Sequence, residues 1–278
     1  MQNGLYIVAT PIGNLGDISP RAVETLKEAD VIACEDTRIT KKLFALLNIS
    51  TANKKFIVYQ NYNEEDEAQN ILDLAINENK SIALVSDAGS PLISDPGYKL
   101  IHKAREQGVF VSVLPGCCAL ICALQLSGLP TNRFLFAGFI PNKDKARTDV
   151  LNEFKETKAT IVFYETAQRI LKTLEAAKEI FGEREMAVAR EISKVYEECI
   201  NGTAAELIEH FSSKEPKGEM VLMIAPASEK DFSDLDVEGI LKQKLAEMPL
   251  KSAVKEMVAS YGLNKNDIYD LALKLKNE

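Results

Sequence analysis

The first half of the chain alternates short apolar runs with stretches of helical periodicity. Runs rich in β-branched residues predict strands at 5–9, 31–34, 56–59, 82–85 and 109–114. Helical patterns near 66–78 and 96–107 separate them, and Ser19-Pro20 predicts a further helix N-terminus. Strands this apolar, spaced by helices, predict a mostly parallel sheet that is covered on both faces.

The spacing of the patterns changes near residue 130. Further strands are predicted at 134–140, 161–164, 186–190, 195–200 and 220–225. Thr166 and Thr203 are predicted N-caps of the intervening helices. The closer strand spacing predicts a second α/β domain with antiparallel pairing at 131–227, after a first domain at 1–130.

The C-terminal segment, 228–278, differs from both predicted domains. It begins acidic and polar and then shows three short helical patterns, at 237–248, 250–261 and 265–275. Gly262 predicts a turn and Asn264 a cap between the last two helices. This spacing is typical of a helix-turn-helix appendage. A packed helical tail without a binding role is the alternative.

The amino-acid composition limits which cellular compartment and which kinds of site we expect. Of the 278 residues, 46% are hydrophobic and 27% charged, as in globular proteins. The apolar run at 5–9 is too short for a signal peptide, and no segment reaches a membrane-spanning length, so we expect a cytoplasmic protein without membrane contact. The five cysteines contain no CxxC pair and there are two histidines, so we expect no metal site.

The net charge of −8 argues against a surface coated with positive charge for nonspecific nucleic-acid binding. Local basic segments remain. Lys143, Lys145 and Arg147 lie in one polar loop, and five lysines accompany three acids at 250–277. This weak, local positive charge favours a protein that recognises an assembled particle by its shape over one that binds free RNA.

One predicted loop, at 86–97 (SDAGSPLISDPG), directly follows a buried strand. Open α/β sheets bind ligands outside the carboxyl ends of their strands. Gly89 lets the main chain come close to such a ligand. Either Ser94 or Asp95 can cap the next helix, which gives Asp95 a structural role. Asp87 has no such role, because the turn needs only one residue of this kind. We therefore expect Asp87 to accept a hydrogen bond from a ligand.

A second loop, at 114–119 (LPGCCA), also joins a strand to a helix. Its small side chains would let a flat ring lie against the backbone, although tight helix–sheet packing asks for the same residues. The chain has no GxGxxG segment after a strand and no GxxxxGK[ST] segment, which disfavours a nicotinamide enzyme or an NTPase. No Ser–His pair for hydrolysis is evident from His102 and His210.

Four segments carry a resemblance to a known family. They are 9–18 (ATPIGNLGDI), 34–38 (CEDTR), the 87–97 loop and 163–165 (FYE). Together they resemble the ribosomal RNA small-subunit methyltransferase I family of the tetrapyrrole-methylase superfamily, from residue 4 to about 225, and the helical tail fits as well. The resemblance implies an enzyme that uses S-adenosylmethionine to methylate the ribose 2′-hydroxyl of a cytidine in 16S ribosomal RNA of the small subunit.

The resemblance also implies a two-domain α/β fold with the cofactor in the cleft between the domains. The positions that match the family's cofactor contacts are Pro11, Gly89, Ser90, Pro91, Cys118, Ala119 and Tyr164. Relatives have Asp where this chain has Ser90, and Asp87 is expected to supply the missing acceptor.

Methyl transfer needs little chemistry from the protein beyond alignment, because the sulfonium methyl is already activated. A ribose hydroxyl is a poor nucleophile, so a positioned base or a nearby cation would help. Glu35, Asp36 and Arg38 end a predicted strand on the ligand side and are the catalytic candidates. A buried ion pair with a helix N-cap is the alternative role for these three.

Two other functions and an assembly state complete the expectations. The same fold would serve methylation of a tetrapyrrole precursor, and a ribosome-binding protein without activity is the non-enzymatic alternative. The tail and the 34–38 segment favour the ribosomal RNA methyltransferase. We expect a homodimer, because relatives with this fold are typically dimers and one strand cannot bury Phe134, Phe136 and Phe139 on a single side.

Overall fold

The structure is a computed structural model that describes residues 1–213, 216–227, 236–261 and 263–277. Internal packing divides the chain into two compact units, 1–227 and 228–278. The predicted turn residue Gly262 lies outside the described residues.

The apolar runs of the first half form one parallel sheet. Its strands are β1 (Gly4–Val8), β2 (Val31–Cys34), β3 (Lys55–Val58), β4 (Ser81–Val85) and β5 (Val111–Leu114). They lie in the order β3-β2-β4-β1-β5, and every pairing is parallel. The helices of this half are α1 (Pro20–Glu28), α2 (Thr37–Leu46), α3 (Glu64–Asn77) and α4 (Tyr98–Glu106).

Alternate residues of these strands enter two different cores. Leu5 packs with α3 and α4 on one face of the sheet, whereas Val8 packs with α1 and α2 on the other. The predicted parallel sheet with two covered faces is therefore confirmed. Its carboxyl edge carries the β1–α1, β2–α2 and β4–α4 loops, where ligands bind in folds of this class.

The second half forms a mixed sheet. Its strands are β6 (Phe134–Phe139), β7 (Thr160–Thr166), β8 (Met186–Arg190), β9 (Glu198–Gly202) and β10 (Glu219–Ile224), in the order β6-β7-β10-β8-β9. The β6–β7 pair is parallel and the other pairings are antiparallel. The helices are α5 (Ala119–Ser127), α6 (Asp144–Glu153), α7 (Ile170–Phe181) and α8 (Ala204–Ser213).

Helix α5 links the two sheets of the first unit. It precedes the predicted boundary at residue 130, yet its Leu120 and Ala123 pack against Val162 and Ala189 of the second sheet. Helices α6, α7 and α8 cover the opposite face of that sheet. The boundary between 1–130 and 131–227 stays a prediction, with α5 forming part of the second sheet's core.

Of the predicted N-caps Ser19, Thr166 and Thr203, the first and the third are confirmed. Ser19 Oγ accepts the Ala22 N–H at 3.2 Å. Thr203 and Glu206 form a capping box, in which the Glu206 carboxylate accepts the Thr203 N–H at 2.7 Å. The prediction for Thr166 is wrong, since Thr166 ends β7 and α7 begins only at Ile170. The buried Glu165 carboxylate accepts the Thr166 N–H at 2.8 Å and prolongs the strand.

The described part of the second unit contains three helices, α9 (Val237–Glu247), α10 (Leu250–Tyr261) and α11 (Lys265–Asn277). They enclose a small core of Leu241, Val254, Met257, Ile268 and Ala272. Asn264 caps α11 by accepting the Asn266 N–H at 2.9 Å, as predicted. No helix in the described part of the chain is both long enough and apolar enough to cross a membrane.

Candidate active site

One cavity of the first unit lies between its two sheets. It has a volume of about 360 Å³. The β2–α2, β4–α4 and β5–α5 loops provide one wall, and β7, β10 and the loop after β8 provide the other. The lining combines apolar side chains with several carboxylates, so the cavity suits a ligand that has a flat apolar part and a positive charge.

The β4–α4 loop is fastened to the β1–α1 loop at Gly89. Thr10 and Gly89 exchange two backbone hydrogen bonds, of 2.8 and 3.1 Å, and the Ser86 hydroxyl donates to the Gly89 carbonyl at 3.0 Å. Gly89 has φ +86°, and a Cβ there would lie 3.3 Å from Ile12 Cγ2. This backbone conformation and the close approach both favour glycine.

The structure brings together six of the eight predicted cofactor residues. Those that line the cavity are Asp87, Gly89, Ser90, Cys118, Ala119 and Tyr164. Pro11 and Pro91 do not line it, although their neighbours Ile12 and Ser90 do. The Ser90 hydroxyl donates to the Cys117 carbonyl at 2.8 Å. Ser90 therefore ties the two predicted ligand loops to each other.

Tyr164 supplies the aromatic part of the wall. Its ring meets Phe136 and Phe139 edge to face, at centroid distances of 4.8 and 5.4 Å. Burial raises the pKa of the Tyr164 hydroxyl well above its ordinary value. The side chain is therefore neutral, and it offers a flat apolar surface with a polar tip.

Three carboxyl groups on the first sheet's side face the same cavity. Burial raises the pKa of Glu35 to about 7, with help from the charges of Asp95 and Asp87. Burial also raises the pKa of Asp95 to about 6 and, to a smaller extent, that of Asp87. Glu35 Oε1 is buried and accepts no hydrogen bond from the described residues. Glu35 is therefore poised to exchange a proton near neutral pH.

Asp95 reaches the cavity because it does not cap α4, contrary to the prediction. Gly97, with φ +141°, occupies the N-cap position, and no side chain of this loop caps the helix. Instead, Glu64 Oε1 of α3 accepts the Gly97 N–H at 2.8 Å and the Lys99 N–H at 3.2 Å. The carboxylate that satisfies the helix terminus comes from 33 residues earlier in the chain.

Asp36 and Arg38 lie outside the cavity lining. The Asp36 carboxylate accepts the Arg38 N–H at 2.7 Å as the N-cap of α2 and forms an ion pair with the exposed Arg38 guanidinium at 2.6 Å. This pairing holds the pKa of Asp36 at about 2. Asp87 in turn accepts the Asp36 N–H at 3.2 Å, a structural role that the sequence did not reveal.

The loop after β8 contributes residues that the sequence analysis missed. Glu191, Ile192 and Lys194 line the cavity, and the predicted strand at 195–200 begins only at Glu198. Lys194 is the one cationic side chain among the described lining residues. The chain has neither glycine nor proline at 190–198 to mark a loop, so the local sequence carries no strong signal for it.

Two further observations concern charge and metal. Arg147, predicted as part of a basic loop, is buried and donates to Asp144 at 2.8 Å and to the Asn142 carbonyl at 2.7 Å. The prediction that all three basic residues lie in a loop is wrong, since Lys145 and Arg147 belong to α6. Of the three, Lys143 and Lys145 are exposed. Within the described ranges, no group of three His, Cys, Asp or Glu side chains is placed to hold a metal ion.

The sequence matches two family models. Residues 4–208 match Tetrapyrrole (Corrin/Porphyrin) Methylases, and residues 231–276 match the RsmI C-terminal HTH domain. The Ribosomal RNA small subunit methyltransferase I of Erythrobacter litoralis is 49% identical, over 98% of this chain and 95% of the relative. The protein of the same name from Escherichia coli O157:H7 is 42% identical, over 98% of this chain and 96% of the relative.

Solved structures share the fold at low sequence identity. A diphthine synthase is 15% identical with a TM-score of 0.61, over 80% of this chain and 89% of that one. The methyltransferase CobJ is 16% identical with a TM-score of 0.60, over 81% of this chain and 95% of that one. Identities this low show a common architecture only.

Proposed function

Because the chain belongs to the ribosomal RNA small subunit methyltransferase I family, we propose that it methylates the ribose 2′-hydroxyl of a cytidine in 16S ribosomal RNA, with S-adenosylmethionine as donor. The single observation that carries the proposal is the cavity between the two sheets. Six predicted cofactor residues and the candidate base Glu35 line it together.

The lining fits the proposed donor in three ways. Gly89 leaves room for a ligand beside the main chain, at a position where a Cβ would crowd Ile12. Ala119 and Tyr164 offer apolar surface to a flat ring. Asp87 and Asp95 supply negative charge for a ligand with a sulfonium and an ammonium group.

S-adenosylmethionine supplies an activated methyl group when it is bound. Methylation forms an oxygen–carbon bond and breaks a sulfur–carbon bond, so the ribose hydroxyl must lose its proton. Glu35 is the group that we assign to accept this proton, because it lines the cavity and its pKa lies near 7. The proton then returns to water. Asp36 and Arg38 hold the start of α2 in place behind Glu35.

Methylation in a defined reaction tests the proposal. Small ribosomal subunits from a strain that lacks the gene are incubated with the purified chain and methyl-labelled S-adenosylmethionine. Mass spectrometry of nuclease digests should show one new 2′-O-methylcytidine in 16S ribosomal RNA. Calorimetry should show saturable binding of S-adenosylmethionine and none of ATP or NAD.

Each other outcome points to a different function. Label on a base would disprove ribose methylation. Cofactor binding without label on any ribosomal RNA, but with label on a tetrapyrrole precursor, would favour the alternative enzyme of the same fold. Binding to the subunit without transfer of label would favour a non-catalytic ribosome-binding protein.

We also propose that the protein works in the cytoplasm as a homodimer. Strand β6 is an edge of the second sheet. Phe136 and Phe139 both pack against Tyr164, yet Phe139 is still 56% exposed and Phe134 44% exposed. Exposed rings on an edge strand are typical of surfaces that a second copy covers.

Light scattering at micromolar concentration checks the dimer. We expect about twice the chain mass of 30.7 kDa. Phe139→Ser should shift the mass towards one chain, while Tyr62→Ser, which removes an exposed ring from the loop after β3, should leave it unchanged. A mass near 30.7 kDa that stays constant on concentration would contradict the dimer.

A further inference from the structure

The loop between β8 and β9, residues 191–197, is held in one conformation by its own hydrogen bonds. The Ser193 N–H donates to Glu197 Oε2 at 2.6 Å, and the Lys194 N–H donates to the Glu191 carbonyl at 3.0 Å. Glu191 and Ser193 have φ values of 50° and 64°. Non-glycine residues adopt this region at a cost, and they keep it where the surrounding contacts impose it. The conformation of this loop is therefore specified by its own contacts.

This loop also contacts the β1–α1 loop from the other side of the cleft. The Ser193 hydroxyl donates to the Asp17 carboxylate. The aliphatic part of Lys194 packs against Gly13, where a Cβ would collide with the lysine Cγ. Glu191 Oε1 accepts from the Lys194 ammonium at 2.9 Å. Lys194 is thereby held between two loops that belong to different sheets.

Lys194 borders two separate depressions in the protein surface. It lines the cavity between the sheets and also an open groove. The groove is bordered by Gly13, Asn14, Leu15, Ser193, Val195 and Tyr196. Val195 is 92% and Tyr196 74% exposed. An anchored loop thus presents a large apolar side chain and an aromatic ring to solvent, beside the only described cation of the cavity lining.

We propose that this groove binds the RNA next to the target ribose, with Lys194 on a phosphate and Tyr196 stacked on a base. The inference rests on the proposed function and adds the subsite for the flanking nucleotide. The occupant follows from chemistry. The other charged residues of the cavity lining are carboxylates, so a polyanion that enters needs a cation there. A lysine ammonium has three donors, and one of them is used by Glu191.

Tyr196 fits the second half of the proposal. Proteins that recognise unpaired RNA stack its bases on aromatic side chains, because every base has a flat face. The groove and the cavity share Lys194 in their linings. When a ribose occupies the cavity, its neighbouring phosphate would lie near the Lys194 ammonium. The neighbouring base would then lie near the Tyr196 ring.

The test compares variants of the full chain by methylation of small ribosomal subunits. Lys194→Met should raise the KM for small ribosomal subunits about tenfold. In a plot of log KM against log salt concentration, the slope should fall by about one, because one phosphate contact is lost. Tyr196→Leu should raise KM roughly tenfold, and Tyr196→Phe should restore it, because stacking needs only the ring. Lys172→Met is the matched control, since α7 covers the opposite face of the second sheet.

Cofactor affinity separates the outcomes. All four variants should bind S-adenosylmethionine as the unchanged protein does. Weaker cofactor binding by Lys194→Met would overturn the inference by assigning Lys194 to the cofactor. Unchanged KM and salt slope for Lys194→Met, or equal losses for Tyr196→Leu and Tyr196→Phe, would overturn it as well and leave the proposed function intact. Absence of methylation by the unchanged protein would instead reject the proposed function.

Discussion

Gly89→Val is expected to weaken S-adenosylmethionine binding by about a hundredfold or more. Valine would have to adopt φ +86° and place its Cβ 3.3 Å from Ile12 Cγ2. Strain of this kind costs about 1–3 kcal/mol and is relieved when the loop leaves the conformation that lines the cavity. Every 1.4 kcal/mol that favours another loop conformation lowers the affinity about tenfold. The valine methyl groups would also occupy the cavity wall, which adds to the loss. Calorimetry with purified protein measures the effect.

Gly108→Val is the matched control for this substitution. Gly108 also has positive φ, +68°, but a Cβ there would meet nothing within 4 Å. This variant should lose a similar amount of stability on thermal unfolding and bind the cofactor normally. If Gly89→Val also bound normally, the β4–α4 loop would be purely structural, and the proposed cofactor site would be misplaced.

Glu35→Gln is expected to lower kcat by roughly 100- to 10,000-fold, the usual contribution of a positioned general base. Glutamine keeps the shape of the side chain and removes the proton acceptor. Cofactor affinity should change little, because the side-chain oxygen of glutamine can still accept the Asp87 backbone N–H that the Glu35 carboxylate accepts. Single-turnover methylation of small ribosomal subunits with saturating cofactor measures the chemical step.

The pH profile provides a second measurement on Glu35. Its pKa is raised to about 7 by burial and by the charges of Asp95 and Asp87. Only the ionised carboxylate accepts a proton, so kcat should rise with pH through about 7 and level off above it. The Gln variant should lose this rise. An unchanged profile in Glu35→Gln would assign the titration to another group and remove Glu35 from the mechanism.

The same assay ranks the other catalytic candidates. Asp36→Asn and Arg38→Gln should lower kcat far less than Glu35→Gln, since their side chains pair with each other outside the cavity lining. Asparagine can still cap α2. If Arg38→Gln lowered kcat as much as Glu35→Gln, this ranking would be contradicted. The Arg38 guanidinium would then have a direct role in the reaction.

The order of strands and helices was accessible from the sequence alone. Burial selects apolar residues along each strand, so the local pattern records the sheet directly. Leu5, Ile32 and Ile82 are all fully buried in strands that their apolar runs predicted. The two ligand loops were accessible for a related reason, since Gly89 and the small residues Cys118 and Ala119 follow such strands. The family resemblance added the donor and the substrate.

The roles of individual polar side chains were decided by the tertiary structure. Asp95 faces the cavity because Glu64, distant in sequence, satisfies the N-terminus of α4. Asp36 and Arg38 pair with each other, while Glu35 alone of the three candidates lines the cavity. Lys194 enters the site because contacts with Asp17 and Gly13 fix its loop. Hydrogen bonds and ion pairs depend on neighbours in space, and a polar residue can satisfy several alternatives that the sequence does not rank.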